Sequence, residues 1–217
     1  MELDDMKAAW TTLDQRLSAQ TMLNLHMFKE GKLYKLRCGL RPLVWGQAIQ
    51  IMFGALITVW GGGFWVDHRD VPHLLIAGLI VHVAGISMIV LGASIETLIA
   101  RIDYSAPVLT IQRQLAQLRK VYVRGGLAIG LPWWILWVAF AIVFLKIEFG
   151  VDLFISAPGF VWINVAVGFL GMLLTWAFIR WAAKRPRLAM RLENGAAGGS
   201  INRAQANLEE IERFERE

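Results

Sequence analysis

The chain has one cysteine, Cys38, so an internal disulfide is excluded. With no activating partner nearby, it reads as an inert thiol. There is no HExxH helix and no nucleophile elbow. Gly61-Gly62-Gly63 is not a phosphate cradle, because no Lys-Ser/Thr follows it. Carboxylates are missing from the middle of every long apolar run; Glu96 is at an edge, with Arg101 close by. A proton-coupled exporter would need a membrane-central carboxylate, and a channel a ring of polar residues. The start, Met1 to Asp5, is acidic where a secretory signal is basic, and no apolar run occurs before Leu43. The first run is therefore expected to act as an uncleaved insertion signal. Together these absences lead to the expectation of no enzyme activity, no cofactor and no metal.

What the chain does have is four apolar runs, Leu43–Trp65, Leu74–Ile95, Gly126–Leu145 and Gly159–Ile179, each bounded by charge. About 20 residues at 1.5 Å each make a helix of roughly 30 Å, the thickness of a bilayer's hydrocarbon layer. The expected fold is all-α: a polytopic membrane protein with four transmembrane helices. Tryptophans near the run boundaries (Trp45, Trp60, Trp65, Trp162, Trp176, Trp181) suit the headgroup region.

Lysine and arginine sort unequally between the runs. Segments 1–42, 97–125 and 182–217, with the adjoining Arg180, hold twenty of them, while loops 66–73 and 146–158 hold one each, Arg69 and Lys146. Basic residues resist translocation, so both termini and the middle loop are expected to be cytoplasmic. The net charge of +5 and pI near 9.7 express the same asymmetry and call for no nucleic acid.

The three basic segments share a pattern. Leu3, Met6, Trp10, Leu13 and Leu17 step by 3, 4, 3 and 4, a heptad stripe that turns polar at Gln20 and Asn24. Pro42 is expected to mark the start of the first span. Val108, Ile111, Leu115, Leu118 and Tyr122 repeat the steps in the middle loop, after a helix start at Ser105 and Pro107 and before a loosening at Gly125-Gly126. In the tail, a break at Asn194–Gly199 and a capping Ser200 precede Ile201, Ala204, Leu208, Ile211 and Phe214. Such stripes either lie on the membrane or pack within one subunit, or form a bundle that docks a partner or a second copy. Mixed charge around the N-terminal stripe favours docking; Arg113, Arg119 and Lys120 fit the middle helix to the membrane surface.

The run from Glu2 to Asp14, ELDDMKAAWxxLD, resembles the start of an uncharacterised group of bacterial multi-pass membrane proteins. The loop from Ile102 to Gln112, IDYSAPVLxIQ, is similar to that group's middle loop. The resemblance covers a fifth of the chain or less. It implies the same topology, a bacterial inner-membrane location, and a defined turn at Asp103, Tyr104, Ser105 and Pro107. It brings no activity with it.

Ionisable groups in hydrocarbon are costly and so are candidates for function. His82 shares a face with Gly78, Gly85 and Gly92, where another helix can approach. Asn164 lies at a comparable depth in the fourth run, which makes an Asn164–His82 contact feasible. Gln47 and Gln50 lie near the basic end of the first. His82 is either a packing imidazole or a group that titrates near neutrality. His68 and His73, with Asp67 and Asp70, match no zinc signature. The expected function is a non-enzymatic scaffold or regulatory subunit in the lipid bilayer, acting through its cytoplasmic helices on a protein partner or a second copy. The alternative is a small oligomeric transporter or channel using His82, Asn164, Gln47 and Gln50.

Overall fold

In the computed structural model the backbone is described for residues 2–104 and 106–216, and the side chains for all but scattered positions, chiefly before Leu33 and after Arg185. Helices account for nearly all of it, and no strand occurs among the described residues. The order is α1 (Glu2–Asp67), α2 (Pro72–Ala100), α3 (Val108–Gly130), α4 (Trp133–Phe149), α5 (Leu153–Ser156), α6 (Pro158–Ala183) and α7 (Pro186–Arg216).

The first helix is continuous for 66 residues, so the N-terminal segment and the first span are one rod. Pro42 lies inside it and does not mark a start. An interior proline removes a rung and costs about 3 kcal/mol. Here its ring is exposed, while Leu36, Leu40, Leu43 and Gln47 bury the opposite face on both sides of it. That packing holds the helix together across the gap.

The third span departs from expectation. Gly125 and Gly126 are helical within α3, and the break falls at Leu131–Pro132, where α3 and α4 are bent by 53°. Pro132 has no N–H to offer the carbonyl four residues back, and its ring crowds that position. Nothing overrides it: no described residue between Leu118 and Val138 is buried. Gly126–Leu145 is therefore not one straight helix. Segments Leu33–Asp67, α2 and α6 are each long and apolar enough to cross a membrane, and α3 with α4 makes a bent fourth candidate.

Two cores order the bundle. At the basic end, Leu36 and Leu40 of α1 and Ile95 of α2 meet Ile111, Leu115 and Leu118 of α3 and Ile201, Ala204 and Leu208 of α7. At the loop end, Phe64, Leu74 and Val81 meet Val138, Ile142 and Val143 of α4 and Val161 of α6. The middle helix thus turns its apolar face inward and not to a membrane surface. The expected tail break narrows to Gly198, whose φ of 74° is open to glycine alone at low cost. A short helix is marginal in water, and docking of Ile201, Ala204 and Leu208 stabilises this one. Helix α3 begins after Pro107, which is its N-cap and makes no side-chain capping bond. A turn before it is closed by Ala106 N–H donating to Asp103 O, and Asp103 N–H donates to Gln114 Oε1. Ser105, Leu3, Ile211 and Phe214 fall outside the described side chains.

Candidate functional site

Of the three apolar stripes, two cover each other at the basic end and the described side chains of the third are exposed. Arg119 of α3 fastens the covered pair, its guanidinium donating to Gln205 Oε1 and Asn194 Oδ1, both at 2.6 Å. Asn202 Nδ2 donates to Asn194 O at 2.7 Å and links the two halves of α7 across Gly198. Side chains that bridge elements 86 and 75 residues apart are not signalled by any local spacing.

The exposed stripe is on α1. No described side chain before Leu36 is buried. Met6, Trp10, Leu13 and Leu17 are 60%, 70%, 52% and 54% exposed, so a tryptophan and three aliphatic side chains face solvent on one line. The roughly 30 residues that precede the core extend for about 45 Å at 1.5 Å each. An apolar line of this kind on an otherwise charged helix is the usual mark of an interaction surface.

The intramembrane candidates do not converge. His82 Nδ1 donates to Thr58 O of α1 at 2.8 Å, which fixes the proton on that nitrogen in the neutral ring. Gly61 and Gly62 make room for it; a Cβ on Gly61 would lie 2.7 Å from His82 N. Asn164 Nδ2 donates instead to Phe160 O of its own helix at 2.8 Å, so the Asn164–His82 contact is not formed. Similar depth does not make two residues neighbours, and α2 gives this face to α1. Gln50 Nε2 donates to Met88 O at 3.2 Å. Gln47 is 5% exposed, and its Oε1 has no partner among the described residues. Three of the four are thus tied to backbone carbonyls, and no described hydrogen bond joins the four into a shared polar path.

The two loops carry a pair that spacing could not show, since its members are 79 residues apart. His73, in the first turn of α2, has Nε2 2.9 Å from Asp152 Oδ2, and its ring stacks on Phe154. Asp152 also caps α5, accepting from Phe154 N at 3.0 Å. Burial acts to raise this carboxyl, but the His73 contact and the backbone N–H groups of Phe154 and Ile155 outweigh it and hold it below its ordinary value. His68 turns away, its Nδ1 3.0 Å from Phe64 O, and no group of three or more metal-ligating side chains gathers among the described residues.

A depressed carboxyl stabilises the fold fully above its unfolded value of about 3.9, and the contribution fades as pH falls through the lower folded value. Asp152→Asn is expected to lower the melting temperature in detergent at neutral pH, and the difference from the parent protein should shrink below pH 4. A gap that stays constant from pH 7 to pH 3 would show that the carboxylate contributes nothing.

Compared with known proteins, the chain matches no family model, no curated protein and no solved structure.

Proposed function

We propose that this is a non-enzymatic scaffold or regulatory subunit of a bacterial inner membrane, with both termini cytoplasmic, whose N-terminal rod docks a protein. The observation that carries the reading is the exposed stripe Met6–Leu17 on a helix continuous with the first membrane span. The twenty-to-two division of lysine and arginine supports the orientation. The intramembrane polar groups support it indirectly: His82 and Gln50 are engaged with backbone carbonyls across the α1–α2 contact, which is a packing role.

Lysine cross-linking with mass spectrometry in native membranes tests this. In the full chain, Lys7 and, outside residues 1–20, Lys29 and Lys32 are expected to give intermolecular cross-links. They should disappear when residues 1–20 are deleted and persist in His82→Leu, with the protein still membrane-inserted in both. The reading fails if the deletion leaves intermolecular cross-linking intact while His82→Leu abolishes a solute flux through reconstituted vesicles.

A further inference from the structure

The stripe continues beyond Leu17 once α1 is known to be unbroken. Stepping on by 3 and 4 gives Gln20, Asn24, Met27, Gly31 and Tyr34, so the register from Leu3 covers more than four heptads without a slip. Met27 and Tyr34 are both strongly exposed, which returns the line to apolar character above the core. The register spans the three or four repeats that a coiled coil needs, with seven apolar seam residues interrupted at Gln20, Asn24 and Gly31. With Leu3 at position a, Asn24 is also at an a position. One asparagine there fixes register and strand number at some cost in stability, a device that suits a helix facing copies of itself.

The flanking positions add charge complementarity. In a parallel pair each g residue faces the e residue five further on in the other copy. Those pairings are Glu2 with Lys7, Ala9 with Asp14, Arg16 with Thr21, Leu23 with Phe28 and Glu30 with Lys35. Two are of opposite charge, one is apolar, and none sets like charges together. The complementarity lies between the chain's own g and own e positions, so the matching partner is the chain itself. Parallel direction follows from anchoring: two rods that enter one bilayer at Leu36–Leu43 both point away from it.

We infer that the occupant of the N-terminal stripe is a second copy of this chain, paired with it as a parallel, in-register coiled coil over residues 3–34. This rests on the proposed function and names its partner. Identical side chains at seam positions then face each other across the two-fold axis, at backbone separations that a disulfide accepts, about 4.4–6.8 Å between Cα atoms.

The test uses the full chain in membrane vesicles, with Cys38→Ser to remove the native thiol. Leu13→Cys and Leu17→Cys, both at seam positions, are compared with Gln15→Cys at the outward f position under mild oxidation. The seam variants are expected to form disulfide-linked dimers on non-reducing gels at least about tenfold more than Gln15→Cys. Two different seam positions guard against one variant disturbing the helix. Equal cross-linking at all three positions, or none at the seam, overturns the inference. If seam dimers are absent while Lys7 still cross-links to a different protein, self-pairing is wrong and the docking reading stands. If both signals are absent, both readings fail.

Discussion

Gly85→Ala will push α1 and α2 apart. A Cβ at Gly85 would lie 2.5 Å from Thr58 Oγ1, 2.7 Å from Thr58 N and 2.8 Å from Gly54 O. Two of those atoms belong to the backbone of a packed helix and cannot swing aside. Gly78 and Gly92 lie one heptad to either side and are nearly as confined, with first contacts at 2.8 Å and 2.6 Å. The helices therefore cannot pivot about the substituted point without losing those contacts. Overpacking of this kind typically costs about 1–3 kcal/mol. The His82–Thr58 hydrogen bond spans the same contact and should lengthen with it. Gly63→Ala is the matched control, because nothing lies within 4 Å of its Cβ position. It should be neutral or stabilise by up to about 1 kcal/mol, alanine being the better helix former. Thermal unfolding of the two variants in detergent decides the matter, and equal melting temperatures would remove the glycine contact as the determinant of this pair.

Leu115→Ala is the second large effect. Leu115 is fully buried where α3 meets α1, α2 and α7, and removing most of a buried leucine costs about 2–5 kcal/mol. The loss should be local. Among the described residues, Ile201, Ala204, Leu208 and the Arg119 hydrogen bonds hold the tail helix to the core. Limited proteolysis is expected to cut the variant near Arg185 and leave the parent protein resistant there. Leu109→Ala, on the exposed face of the same helix, should behave as the parent does. Similar cleavage of both variants would mean that the tail is not held by this core.

Periodicity revealed both stripes at the basic end, because a buried helical face repeats every three or four residues whatever it packs against. It could not say that they cover each other, since α3 and α7 are distant in sequence. The two prolines show the same limit. Pro42 and Pro132 both interrupt helical patterns, yet one is bridged and the other breaks the chain. The difference lies in the buried neighbours Leu40 and Leu43, which have no counterparts around Pro132. Counting residues placed His82 and Asn164 at comparable depths, but depth along a helix fixes neither its rotation nor its neighbour. The N-terminal stripe was visible from its spacing. Its length was not, because the polar residues Gln20 and Asn24 resemble an ending until the helix is seen to continue through them.

Helix α1 has a mechanical consequence. No loop separates Trp10 from Thr58, so a twist or pull applied at the N-terminal tip of α1 arrives at the Gly85 contact with no slack joint on the way. The weakest rung is at Pro42, and Leu40 and Leu43 hold the shaft on either side of it. Whatever grips the tip therefore also bears on the membrane-embedded pair.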